Sequence, residues 1–179
     1  MPVYPDTLVP CPAEPLPELL SWINHADSLT NKLKNKTGNA NIYVLNQGLI
    51  KTNWWEKFTL GITDAEVYRR EILMSSNQNQ CWYARTMIPK QSFAENRVLF
   101  DRLQHEPITN LIFKNKSIQR QSFYSYALTP QCIEYYWVAP YLPDEADILW
   151  ARLAEYTVDG HYSFYLIEVF LPGLMRTLS

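Results

Sequence analysis

The sequence predicts an α+β fold, a single domain with a mostly antiparallel β-sheet and flanking helices. Three observations predict it. Long segments alternate apolar and polar residues with period two. An Asp-Gly pair at 159 and 160 separates two such segments, the signature of a tight hairpin. Helical spacing is confined to short stretches, an arrangement that suits helices laid on one face of an antiparallel sheet while the other face is left to solvent or a ligand.

The elements follow in order. Residues 1–15 read as an extended, Pro-rich arm and residues 16–179 as the domain, because each proline fixes φ and removes a donor. Leu16, Leu19, Leu20 and Ile23 predict a helix over 17–24. Asp27-Ser28-Leu29-Thr30 supplies capping residues for a second helix that ends near Gly38. Residues 41–46 and 49–54 flank Gln47-Gly48 and predict a hairpin. Strands are expected over 65–75 and 81–88, joined by the turn cluster 76–79. A helix is expected over 92–105. Residues 108–113 favour no state, 118–128 alternate as a strand, and 129–147 read as a loop. The strands 149–158 and 162–171 complete the Asp-Gly hairpin.

Composition narrows the function. The chain has 179 residues, 47% hydrophobic and 19% charged, enough to bury a core. Its pI of 5.9, with both signs of charge interspersed, argues against nucleic acid as a partner. No apolar run reaches the ~20 residues of a membrane-spanning helix. Residues 1–17 carry Asp6 and Glu14, no basic residue and six prolines, unlike a signal or transit peptide. Cys11, Cys81 and Cys132 are odd in number and widely spaced, as reduced cytosolic thiols are. Gly-rich phosphate loops and the HExxH, GxSxG and CxxC motifs are absent. His25, His105 and His161 have no metal-site spacing. Nothing marks an exposed strip for self-association, so a monomer is expected.

Alternation also exposes two charges in apolar rows. Arg70 shares a face with Tyr68, Ile72 and Met74, and Glu168 shares one with Phe164, Leu166 and Phe170. Burying an unpaired charge is costly. Either the two pair with each other, or each pairs with another buried group, or they line a small-molecule pocket. In the pocket reading Arg70 grips an anion with its planar fork. Glu168, with a pKa raised by apolar surroundings, grips or deprotonates a hydroxyl. Arg85, Arg120 and Arg152 also lie in strands. Each alone suits a rim or edge charge; as a set they suit a ligand with more than one carboxylate.

Five segments in order, Asp27-Ser28-Leu29-Thr30, Arg70-Glu71-Ile72-Leu73, Ala84-Arg85-Thr86-Met87-Ile88-Pro89, Trp150-Ala151-Arg152 and Glu168-Val169-Phe170-Leu171-Pro172, resemble the chorismate pyruvate-lyase (4-hydroxybenzoate synthase) family. The resemblance runs from about Pro15 to Pro172. It implies a buried pocket roofed by helical flaps and a cofactor-free reaction that splits chorismate into 4-hydroxybenzoate and pyruvate. It also implies a place in the cytoplasm, at the first committed step of ubiquinone biosynthesis. It assigns ligand contacts to Leu29, Arg70, Ile108 and Glu168, with Arg70 on the ring carboxylate and Glu168 on the ring hydroxyl. Leu29 and Ile108 fall on the flaps, and Arg85 or Arg152 is expected to hold the second carboxylate. A ring hydrogen must leave as the ether breaks, passing to the enolpyruvyl methylene or to a base, for which Glu168 is the candidate. Pro107-Ile108-Thr109 stands where the family usually has Pro-Leu-Gly, which predicts a stiffer flap. The alternative is a non-catalytic domain that binds aromatic carboxylates, since the same fold serves as the effector domain of bacterial transcription regulators. Here the segment ahead of the domain reads as an arm and not as a winged helix.

Overall fold

The computed structural model describes residues 13–143 and 146–178, so the arm predicted over 1–15 and Cys11 lie almost wholly outside it. Six strands form one sheet: β1 (Asn41–Lys51), β2 (Glu66–Ser76), β3 (Asn79–Pro89), β4 (Ile118–Leu128), β5 (Leu149–Val158) and β6 (Tyr162–Phe170). Their order is β1-β2-β3-β6-β5-β4, and every neighbouring pair is antiparallel. Two hairpins lie at the centre. Their turns need left-handed backbone: Asn77 and Gln78 in one, Asp159 and Gly160 in the other, all with positive φ.

The helices are short. They are α1 (Pro17–Ile23), α2 (Leu29–Thr37), α3 (Trp54–Leu60), α4 (Lys90–Glu95), α5 (Arg97–Phe100), α6 (Ile108–Lys114), α7 (Ile133–Val138) and α8 (Pro172–Leu178). Ser28 caps α2 by accepting from the Asn31 amide, and Gly38 ends it at φ 84°. Asn53 and Glu56 form a capping box on α3.

Four expectations are corrected. Residues 41–54 are not a hairpin: β1 runs through Gln47-Gly48 and absorbs the irregularity as a bulge between Val44 and Asn46. The chain then enters α3, with its own cap, where a strand was expected. The helix over 92–105 is broken at Asn96 into α4 and α5, followed by a 3-10 turn. Residues 129–147 contain α7 and a second 3-10 turn. Residues 108–113, which favoured no state, are α6.

Both faces of the sheet are covered, against the expectation of one open face. On the first, α1, α2, α5, α6 and α8 bury Trp22, Ile23, Leu29, Leu33, Phe100, Ile108, Leu111 and Leu174 against Tyr68, Ile72, Trp82, Phe164 and Phe170. On the second, Trp55 and Leu60 of α3 and Tyr135 and Val138 of α7 pack on Leu73, Tyr83, Leu153, Tyr165 and Ile167. The many aromatic residues build the first core as a ladder. Tyr68 stacks on Phe93 at 4.6 Å, Phe93 on Phe100 at 6.0 Å, Phe100 meets Phe164 at 5.4 Å, and Phe164 stacks on Tyr156 at 5.3 Å.

At the start of β3, a central strand, Gly173 opens α8 directly over the backbone; a Cβ there would lie 2.1 Å from the Gln80 carbonyl oxygen. The Gly173→Ala variant is expected to lose about 1–3 kcal/mol of stability through overpacking. Urea unfolding checks this, and an unchanged midpoint would mean that α8 yields freely.

Candidate functional site

The strand registers align the charged residues in rows across the first face. One row reads Arg70, Thr86, Leu166, Ala154, Phe123, and the next reads Ile72, Ala84, Glu168, Arg152, Ser125. Arg70 and Glu168 therefore sit on one face, two strand spacings apart, or ~10 Å across the sheet. Between them β3 presents only the small side chains of Ala84 and Thr86. A floor of small residues therefore lies between a guanidinium and a carboxylate.

The pairing of Arg70 with Glu168, open from sequence, does not occur. Arg70 is 5% exposed, and its Nε has no hydrogen-bond partner. Among the described residues no carboxylate pairs with it. Burial holds its pKa below the ordinary value, partly offset by the Tyr68 phenol.

Glu168, also 5% exposed, accepts from Arg152 Nε at 2.5 Å. Of the alternatives left open from sequence, Glu168 takes the pairing with another buried group, its cross-strand neighbour Arg152. Arg152 does more than pair. Its Nη1 donates to the carbonyls of His25 at 2.8 Å, in the loop between α1 and α2, and of Trp22 at 3.4 Å, in the last turn of α1. That loop is also braced by Lys32, whose Nζ donates to the Ser21 carbonyl and lies 4.7 Å over the Trp22 ring. Arg152 thereby ties the Glu168 carboxylate to the cover.

Leu29 and Ile108 are the first residues of α2 and α6, and both are buried over this face. Thr109 follows in helical backbone and lines the site; the backbone there does not demand the family's glycine. A cavity of about 10 Å³ remains, bounded by Ala26, Thr109, Ile112, Arg120, Arg152 and Glu168 among others. That is room for about one water. The site is closed, and any larger ligand must lift the α1–α2 loop or α6.

Arg85 is a correction. It lies on the second face, where it pairs with Glu71 at 2.6 Å, donates to the Tyr83 hydroxyl and lies 3.5 Å from the Trp137 ring. Burial alone would raise the Glu71 pKa, but Arg85 and the Tyr83 hydroxyl outweigh it and the net shift is downward. Arg85 braces the scaffold, facing away from the cavity. Sequence reasoning missed Tyr156 and Phe123 as lining residues, and named Arg120 only as one of a set. Alternation in β5 could have found Tyr156. Among the described residues no cluster of side chains is arranged to hold a metal ion.

The profile of the chorismate lyase family matches residues 12–177, and the chain belongs to that family. A "Probable chorismate pyruvate-lyase" of Pseudomonas syringae pv. syringae is 27% identical over 170 residues, covering 92% of this chain and 85% of that one. One from Thiobacillus denitrificans is 23% identical over 158 residues, covering 88% and 84%. In fold the chain resembles the effector domain of PhnF from Mycobacterium smegmatis, with a TM-score of 0.55 and 14% identity over 80% of this chain and 88% of that one. A GntR-family regulator from Bacillus cereus gives 0.55 and 13%, over 74% and 92%. These likenesses establish the α+β fold that regulator effector domains share.

The Arg152–Glu168 pair makes a stability prediction. Arg152→Met leaves Glu168 buried without its cation and is expected to cost about 3–5 kcal/mol, whereas Arg152→Met combined with Glu168→Leu restores most of it. A double-mutant cycle in urea measures this. Additive losses would mean that the two residues do not act as a pair.

Proposed function

We propose that this chain is a chorismate pyruvate-lyase, converting chorismate into 4-hydroxybenzoate and pyruvate without a cofactor. The observation that carries the reading is Arg70: a buried guanidinium with no counter-charge among the described residues, on the same face of the sheet as a carboxylate and separated from it by a floor of small side chains. A substrate carboxylate supplies the missing charge, and a bidentate pair with the planar fork fixes the ring's direction. Glu168, held in place by Arg152, then accepts the hydrogen of the ring hydroxyl at the other end. Leu29 and Ile108, at the first turns of α2 and α6, close over the ring.

The chemistry requires little more than this. The C–H bond at the hydroxyl-bearing ring carbon breaks, and its electron pair completes the aromatic ring. The adjacent ether C–O bond breaks, and its pair leaves with the enolpyruvyl oxygen. The departing enolate gains a proton at its methylene and becomes pyruvate. Aromatisation drives the step, so the protein's contribution is orientation and placement of charge. The proton passes directly to the methylene or by way of Glu168, which otherwise only orients the hydroxyl. The role assigned to the product is the first committed step of ubiquinone biosynthesis, in the cytoplasm.

The test is chorismate turnover by the purified protein, with 4-hydroxybenzoate read by ultraviolet absorbance and pyruvate assayed in the same tube. Equimolar products are expected. Binding of 4-hydroxybenzoate without turnover would favour the non-catalytic binding domain, and neither would reject the ligand class. Glu168→Gln is expected to lower kcat by roughly 100-fold or more while the protein stays folded, a typical contribution for a positioned proton acceptor; unchanged kcat would remove it from the chemistry. Arg70→Met should raise the stability of the ligand-free protein by about 1–2 kcal/mol, because an unpaired buried charge is replaced by an apolar side chain. The same variant should lose 4-hydroxybenzoate binding in calorimetry. Lower stability with intact binding would return Arg70 to a structural role.

A further inference from the structure

Chorismate carries a second carboxylate on the enolpyruvyl group, and neither arginine expected to hold it is available. Arg85 is on the other face of the sheet. Arg152 is anchored through Nε and Nη1 and cannot swing to a ligand without releasing Glu168 or the α1–α2 loop.

We propose that Arg120 is the second anion subsite, holding the enolpyruvyl carboxylate at the mouth of the cavity and so distinguishing chorismate from its aromatic product. This deepens the lyase reading and rests on it. Four observations converge. Arg120 lines the same cavity as Glu168 and Arg152. Among the described residues it pairs with no carboxylate. It stands directly opposite Tyr156 in the sheet, and the register slips between Arg120 and Ser122. That bulge turns Arg120 and Phe123, three apart, onto one face, where the guanidinium lies 5.0 Å from the Phe123 ring.

The position also suits the substrate. With the ring carboxylate on Arg70 and the hydroxyl on Glu168, the ether lies on the carbon beside the hydroxyl. Its carboxylate therefore falls at the Glu168 end, where the edge strand β4 presents Arg120. Tyr156 adds a hydroxyl donor beside it. Burial and the Glu168 charge raise the Tyr156 pKa, while Arg152 and Arg120 partly offset them. Asp27, the acid on the opposite lip, is exposed to solvent. Arg120 is itself solvent-exposed, so it can release the carboxylate when pyruvate leaves.

The test compares two ligands that differ in the second carboxylate. In Arg120→Gln, kcat/KM for chorismate is expected to fall 10- to 100-fold, mainly through KM, while 4-hydroxybenzoate affinity by calorimetry stays within twofold. Arg120→Lys should recover part of the loss, because it keeps the charge without the fork. Unchanged kcat/KM would overturn the proposal, as would equal losses for chorismate and 4-hydroxybenzoate. Wild-type turnover, measured first, separates the two levels. If the wild type is inactive on chorismate, the lyase reading falls and this subsite with it. If it is active, only the variant's selectivity bears on Arg120.

Discussion

The site depends on one unbalanced charge. Arg70 sits in the centre of the covered face of β2, among aromatic and aliphatic neighbours, with its Nε unpartnered. Such a group opposes folding, because a buried cation without a counter-ion loses its hydration and gains little in return. The rest of the protein has to supply that stability. Two hydrophobic cores, one on each face, and a sheet of six antiparallel strands do so. The arrangement fits a protein that reserves binding strength for an anion arriving from outside.

Other buried charges in the sheet are balanced, and the contrast is informative. On the second face Arg85 pairs with Glu71 and Arg69 with Glu56, while Glu134 accepts from Trp55 and Tyr126. These groups hold α3 and α7 against the sheet and leave nothing free for a ligand. On the first face the Arg152–Glu168 pair reaches from the sheet into the α1–α2 loop. A movement of that loop must disturb the hydrogen bonds of Arg152, and so bears on the Glu168 carboxylate. Opening and alignment are coupled through one side chain.

Much of this was legible in the sequence. Alternation alone placed Arg70 and Glu168 in apolar rows, because a strand's period of two leaves no freedom once its apolar row is known, whereas Arg152, read as a rim or edge charge, is buried. The Asp-Gly turn fixed the central β5–β6 hairpin. What alternation cannot give is which strands are neighbours. The β3–β6 pairing, which brings Glu168 beside Ala84 and within reach of Arg70, joins residues far apart in the chain. The partners of Arg85 and Glu168 lie across the two hairpins, Glu71 opposite Arg85 and Arg152 opposite Glu168. The short helices were hard to read because six or seven residues hold barely two turns. In α3 the run Trp54-Trp55 has strand propensity, and the Asn53–Glu56 capping box and tertiary packing override it. The bulge beside Arg120 leaves no mark in the periodicity, so the role of that residue emerged only from the paired strands.

The most direct test of the account is a crystal structure of the protein with 4-hydroxybenzoate bound. The account predicts the ring flat over Ala84 and Thr86, its carboxylate bidentate on Arg70 and its hydroxyl on Glu168, with Leu29 and Ile108 closed above it and Arg120 left free. A ligand lying elsewhere, or bound beneath the same helices with Arg70 still unpartnered, would contradict it.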